Sequence, residues 1–418
     1  MRVLMLTWEY PPRIVGGIAR HVEELSWELA RQPGIEVHVV TCEFPGAAAE
    51  EIINGVHVYR VAPYSAPGGH KDFIHWTHQL NAAMRHQADA LIREWLAPTG
   101  RSTKPKDPKK LTDKQSIVLH AHDWLAYFAA VELKHAYKIP LIATIHATEF
   151  GRNNGIHSDI SRYINGIEEQ LVTEAWRVIV CSDFMRGEVQ YALRAPSDKL
   201  DIIYNGIHWE KFAFEFPPDE AESFRARYAA PWEKIIMFVG RGVREKGCQV
   251  LIDALPKVRA GYHDAKLVIA GGGYRQHLMD QAHALGLAQQ VYFTGFIPDD
   301  VLLRLYKVAD AAAFPSLYEP FGIVALEAMA SHTPVVVSDA GGLKEVVEHD
   351  VTGTVTWTDN SNSLAWGLLR VLHSPQFAHE MADRAYERVK THFNWESIAA
   401  QTAEVYQRCW QEYKASSW

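Results

Sequence analysis

A chain of 418 residues and 47.2 kDa has room for two substantial domains, each with its own buried core. Hydrophobic residues make up 48% and charged residues 22%, which excludes a disordered or low-complexity chain. A formal net charge of -8 and a pI near 6.2 argue against a general nucleic-acid binder, because a phosphate backbone selects for basic surface.

The four cysteines, Cys42, Cys181, Cys248 and Cys409, stand far apart in apolar contexts with no C-x-x-C pair. Buried thiols in a reducing compartment are therefore expected. Arg2 and the short apolar run 3–6, broken by Thr7 and Glu9, are too little for a secretion signal. Since no apolar run approaches about 18 residues, a cytoplasmic protein is expected, with membrane contact open but not indicated.

The first unit predicts a strand over 3–7, a loop over 8–17, a helix over 18–31 and a strand over 35–41. Ile18, Val22, Leu25 and Leu29 recur three or four apart, the spacing of one buried helical face. Strand, glycine-bearing loop, helix and strand make a βαβ start. A second helical pattern covers 72–95, with Trp76, Leu80, Ala83, Met84, Leu91 and Ile92. Residues 98–115 are basic, polar and proline-containing (Lys104, Lys106, Lys109, Lys110, Lys114) and predict a solvated insertion. Strands over 117–121, 140–145, 177–181 and 201–204 then end in His122-Asp123, His146, Ser182-Asp183 and Asn205-Gly206. Polar residues delivered at successive strand ends mark the edge on which a parallel sheet builds its sites.

Residues 216–220, Phe-Pro-Pro-Asp-Glu, predict a linker. A new βαβ series follows, with strands over 236–239, 265–270, 291–294, 311–314 and 334–338, and a last helix over 395–410. The coarse organisation is two doubly wound α/β domains in tandem.

The strand 311–314 leads into Tyr318-Glu319-Pro320-Phe321-Gly322, and an apolar helical run follows from Val324. A helix start at a strand end offers unpaired backbone N–H groups to an anion. Glu319 and Glu327 would lie about 12 Å apart along the axis if the whole span were helical. A retaining hydrolase pair needs about 5 Å, so the two carboxylates read as separate clamps on one extended ligand. Arg241 and Lys246 share a strand-end loop with Gly240, Gly242 and Gly247. Two cations so placed suit a diphosphate, and equally fit an ordinary charged surface loop. Gly16-Gly17 reads as an anion-binding helix start or as a tight turn, and Gly271-Gly272-Gly273 is similarly open. His146 at a strand end is a ligand contact or a structural hydrogen-bonder. His120 and His122 project to one face of their strand, and with no third or fourth ligand in sight no metal is expected.

Taken together, Glu319 and Glu327 in a Glu-x₇-Glu arrangement, Arg241-x₄-Lys246, Gly16-Gly17 and Asn205-Gly206-Ile207 resemble the retaining GT-B glycosyltransferases of glycosyltransferase family 4. The resemblance spans nearly the whole chain. The stretches 120–124 and 146–149 are most similar to the short glycogen-synthase-like members.

The resemblance implies a GT-B fold, two Rossmann-like domains facing across a cleft. Residues 1–208 would form the acceptor-side domain, 209–393 the donor-side domain, and 394–418 a helix crossing back to the first. It also implies a nucleotide diphosphate sugar, ADP-glucose or UDP-glucose, and no metal. Arg241 and Lys246 would hold the diphosphate, and Glu319 the hydroxyls of the transferred sugar. Phe321, Gly322 and Ile323 would offer backbone N–H groups, and Glu327 would take the ribose. From the first domain, His146 would approach the sugar, Gly16 and Gly17 the phosphate or sugar, and Asp123 the acceptor. The mechanism implied is front-face, with the departing phosphate taking the acceptor's proton. The acceptor implied is an α-1,4-glucan, with a small or lipid-linked acceptor as the alternative. A binding protein without turnover is disfavoured because Glu319, Lys246 and Arg241 are all present. One departure stands out: bacterial glycogen and starch synthases carry a lysine two residues before the double glycine, where this chain has Ile14, with Arg13 the adjacent cation.

Overall fold

In the computed structural model, which describes residues 1–65, 69, 71–98, 105–273 and 275–418, the apolar runs become the strands of two sheets. The chain divides into two units, Met1–Tyr204 with Trp395–Trp418, and Asn205–Asn394. Residues 99–104 of the expected insertion lie outside the described residues.

The first unit holds β1 (Arg2–Leu6), β2 (Glu36–Cys42), β3 (Glu50–Ile53), β4 (Val56–Val61), β5 (Ile117–His122), β6 (Leu141–Ile145), β7 (Arg177–Val180) and β8 (Leu200–Ile202). Their order in the sheet is β3-β4-β2-β1-β5-β6-β7-β8, all parallel except β3 against β4. β1, β5 and β6 are buried along almost their whole length, which is why they are mostly apolar and do not alternate in and out, with His120 and His122 the polar residues of β5. The helix Gly17–Arg31 buries Val22, Leu25 and Leu29, as their spacing predicts. Each fully buried aliphatic side chain of this kind contributes about 1.5–3 kcal/mol.

The second unit holds β9 (Lys234–Val239), β10 (Ala265–Ala270), β11 (Val291–Gly295), β12 (Ala311–Phe314), β13 (Val335–Ser338) and β14 (Thr354–Thr356). All are parallel, in the order β11-β10-β9-β12-β13-β14. Ile236, Phe238, Leu267 and Ala313 meet Leu251, Leu255 and Leu368 from the helices Cys248–Gly261 and Ser361–His373 in one core.

The strand order reverses between β1 and β5 in the first sheet and between β9 and β12 in the second. At such a switch point the flanking connections leave to opposite faces, and a crevice opens beyond the carboxyl ends. These are the four strand ends that carry most of the residues singled out from the sequence.

The structure corrects several expectations. Residues 216–220 are not a linker: the helix Pro218–Arg225 begins there, Phe216 packs on Phe224, and the stretch lies well inside the second unit. β3, β4 and β14 were not anticipated. The span from Glu319 to Glu327 is not wholly helical, because the helix Ile323–Ala330 starts only after Gly322. All four cysteines are buried thiols, as expected. No helix among the described residues is long and apolar enough to cross a membrane.

Candidate functional site

In the second unit, β9 ends in the loop Gly240–Gly247 and β12 ends in the corner 315–322. Backbone bonds tie the two together: Leu317 and Tyr318 N–H donate to the Glu245 carbonyl, at 2.8 and 3.3 Å. Gly247, at φ +70°, brings the first loop so close that a Cβ there would stand 1.8 Å from the Pro315 carbonyl oxygen. Across this junction Lys246 Nζ donates to Glu319 Oε2 at 2.7 Å, and Ser316 Oγ donates to the same oxygen at 3.2 Å. Glu319 is only 7% exposed, so its charge depends on these partners. Arg241 is more than half exposed, with Nη2 3.7 Å from Glu245 Oε1, so its guanidinium is only lightly held.

Gly322, at φ +111°, caps the following helix in a backbone region open to glycine. Ala325 and Leu326 N–H return to its carbonyl, which closes the first turn of the helix that Ile323 opens. Glu327, one turn in, accepts a hydrogen bond from Tyr306 Oη at 2.9 Å. Tyr306 was not singled out from the sequence.

In the first unit the loop after β1 folds over a carboxylate. Glu9 Oε2 accepts the N–H of Val15 at 2.6 Å and of Gly16 at 2.9 Å. The expectation that Gly16 presents its N–H to a ligand is thus not what the structure shows, since Glu9 holds that amide. Gly17 opens the helix and is exposed. The Arg13 guanidinium lies against the rings of both Trp8 and Trp76, at 5.6 and 5.5 Å from their centroids.

Asp123 follows β5 with φ +58°, an uncommon backbone for a residue with a side chain, and is almost fully buried. Its Oδ1 accepts the backbone N–H of His146 at 2.7 Å, which fixes the loop after β6 against the end of β5. Burial pushes the Asp123 carboxyl up to about 6, although Arg152, 3.7 Å from Oδ2, pulls the other way. Arg152 also approaches Glu149 at 3.8 Å and Glu168 at 4.0 Å. Burial raises Glu168 to about 8 even with Glu149 N–H bonded to both of its oxygens.

His120 and His122 do project to one face of β5, with ring centroids 4.2 Å apart. What sequence reasoning missed is their company. His122 Nδ1 lies 3.1 Å from His146 Nε2, and the His21 ring stands edge-on to His146 at 4.6 Å. His120 bonds the Tyr406 hydroxyl and Thr144 Oγ1, each at 2.7 Å. Burial holds all of His120, His122 and His146 below the usual histidine range, His146 at about 3, so these three rings are neutral near pH 7.

Two groups among the described residues bring potential metal ligands together, His21 with His122 and His146, and Glu36 with His38 and His57. The first supplies the third ligand that the sequence did not reveal. Its nitrogens lie within 4.8 Å of one another, while ligands about 2.0–2.1 Å from a tetrahedral zinc sit roughly 3.4 Å apart. The closest pair is already at hydrogen-bond distance. A shared proton fits that geometry as found.

The sequence was compared with known proteins. Profiles described as "Glycosyltransferase Family 4" and "Glycosyl transferases group 1" match residues 15–211 and 220–388. A glycosyltransferase of Methanocaldococcus jannaschii, named as uncharacterized, is 40% identical over 97% of this chain and 98% of its own. A glycogen synthase of Mycobacterium tuberculosis is 36% identical over 97% of this chain and 94% of its own. Among solved structures, the sucrose-phosphate synthase of Thermosynechococcus elongatus superposes with a TM-score of 0.79 over 98% of this chain and 99% of that one, at 22% identity. That likeness concerns the fold.

Proposed function

The chain belongs to glycosyltransferase family 4 and has its GT-B fold, and on that footing we propose that it is a retaining glucosyltransferase that extends an α-1,4-glucan from ADP-glucose or UDP-glucose. The observation that carries the reading is the Lys246–Glu319 pair, a cation and a carboxylate set 2.7 Å apart at the ends of β9 and β12. A sugar diphosphate needs those two things side by side, positive charge for the phosphates and an acceptor for sugar hydroxyls.

In this proposal Arg241 and Lys246 bind the diphosphate and stabilise the charge that grows on it as the bond to the sugar breaks. Glu319 orients the sugar, the amides of 321–323 face the sugar and phosphate, and Glu327, held by Tyr306, takes the ribose. The first unit contributes His146 and Gly17 for the donor and Asp123 for the acceptor. The acceptor hydroxyl attacks the anomeric carbon from the side on which the diphosphate leaves, and its proton passes to the departing phosphate oxygen. Glu319 is engaged by Lys246 and Ser316, which suits a hydroxyl clamp better than a covalent nucleophile. The assignment of 1–208 to the acceptor, 209–393 to the donor and 394–418 to a returning helix belongs to the same proposal.

The 36% identity to a glycogen synthase supports the glucan acceptor. Ile14, in place of the lysine of bacterial glycogen and starch synthases, favours as a second reading hexosyl transfer to a small or lipid-linked acceptor. A panel of nucleotide sugars against glycogen, maltooligosaccharides, simple sugars and no acceptor tests both, with released nucleoside diphosphate as the readout. Release that requires glycogen or maltooligosaccharide supports the first reading. Release only with a small acceptor selects the second, and no release with any pair overturns both.

A further inference from the structure

We infer that His122 is a positioning residue that holds the His146 ring with its proton on Nδ1, so that His146 meets its ligand as a hydrogen-bond donor. The inference rests on the proposed role of His146 at the sugar, and deepens it.

The two rings lie nearly parallel, 20° apart, with His122 Nδ1 3.1 Å from His146 Nε2. Two neutral imidazoles at this distance share one proton, and the donor is either His122 Nδ1 or His146 Nε2. The far side of His122 decides between them. Its Nε2 is buried and has no hydrogen-bond partner among the described residues. If His146 donated, His122 would carry its proton on that Nε2, an orphaned buried N–H. Such donors are rarer in folded proteins than under-satisfied acceptors. With the proton on His122 Nδ1 instead, Nε2 is left as a bare lone pair and the hydrogen bond runs from His122 to His146. His146 then carries its own proton on Nδ1, the ring nitrogen that remains for a ligand.

The surroundings keep His122 in place and uncharged. His120 packs against it at 4.2 Å and is itself pinned at both nitrogens by Tyr406 and Thr144. Burial disfavours the imidazolium form of each ring. The Nδ1–H form is the less common tautomer of a neutral histidine side chain in water, so without His122 the His146 ring would revert to Nε2–H. Its Nδ1 would then offer a lone pair to the sugar. A hydroxyl can meet either, but a leaving-group oxygen that gathers negative charge is stabilised only by a donor.

The test uses the full chain labelled with ¹⁵N-histidine and long-range ¹H–¹⁵N correlation, with His146→Ala to assign the ring. His146 is expected as the Nδ1–H tautomer in the wild-type chain and in His122→Gln, whose amide N–H can reach Nε2, and as Nε2–H in His122→Phe. In nucleoside diphosphate release from ADP-glucose or UDP-glucose, His122→Phe should lose about 100-fold in kcat, as when one transition-state donor is lost, with little change in KM. His122→Gln should restore most of that loss. An Nε2–H tautomer in the wild-type protein, or wild-type kcat in His122→Phe, overturns the inference. If no donor is turned over, the glycosyltransferase reading fails by itself, while the wild-type spectrum still decides the tautomer.

Discussion

Gly247→Ala is the sharpest single test of how the second unit builds its site. The glycine sits at φ +70°, where an L-residue with a Cβ costs about 1–2 kcal/mol. Its added Cβ would stand 1.8 Å from the Pro315 oxygen and 2.6 Å from the Pro315 carbonyl carbon, both backbone atoms that no rotamer change can move. Forcing one methyl into such a contact costs about 1–3 kcal/mol more. The total of about 2–5 kcal/mol predicts a melting point lowered by about 4–20 °C for a domain of this size. Because the displaced atoms lead directly into Glu319, nucleoside diphosphate release should fall more than the residual folded fraction explains. Gly272→Ala is the control, since a Cβ there meets nothing within 4 Å. Differential scanning calorimetry with the release assay on both variants decides the matter. A Gly247→Ala protein that melts and turns over like Gly272→Ala would refute the reasoning.

Other outcomes follow from the same contacts. Lys246→Ala and Glu319→Ala should each abolish nucleoside diphosphate release with the far-ultraviolet circular dichroism unchanged; normal turnover in either shows the pair to be structural. Lys246→Ala should be the less stable of the two in urea, because it leaves a carboxylate that is 7% exposed with Ser316 but no cation, whereas Glu319→Ala frees a lysine side chain that is 25% exposed. Trp395→Phe removes the indole N–H that Glu24 accepts and should cost about 1–3 kcal/mol by denaturant titration. Burial raises Glu168 to about 8 and Asp123 to about 6, above their unfolded values, so the folded state binds extra protons. Their contribution to stability is complete below the ordinary carboxylate range and is lost as pH rises through 6 and then 8. Glu168→Gln should therefore flatten the fall in stability between pH 5 and 8; an unchanged slope means that Glu168 is ionised in the folded protein.

How far the sequence was legible depended on whether a feature was local. β10 and β12 could be read to the residue, because strands buried on both faces are nearly continuous apolar runs, broken here only by Lys266. β3 and β4 escaped notice although their signal is local: Asn54-Gly55, both at positive φ, joins Glu50–Ile53 to Val56–Val61 as a two-residue hairpin. The supposed linker at 216–220 was a misread helix start, with Pro218 at the first position and Asp219 and Glu220 in the first turn. Among the candidate residues, Arg241, Lys246, Glu319 and His146 stood out through their loops and through the family resemblance. Glu9, His21, Arg152, Glu168 and Tyr306 did not, because nothing near them in the chain announces them. Glu9 matters through the amides it gathers, and His21 through a ring that arrives from a loop 125 residues further on.

The helix Trp395–Ala415 belongs to the first unit although all of the second precedes it. On the ribosome this sets an order of completion. His120 is synthesised 286 residues before the Tyr406 hydroxyl it bonds, and Glu24 waits still longer for the Trp395 indole. The Lys138 carbonyl likewise awaits Tyr413. The second unit is contiguous and can close as soon as it emerges, while the first unit lacks this helix until 395–415 have been made. The unit begun first is thus completed after the second, and loss of Tyr406 and Tyr413 would injure the nascent chain's oldest domain.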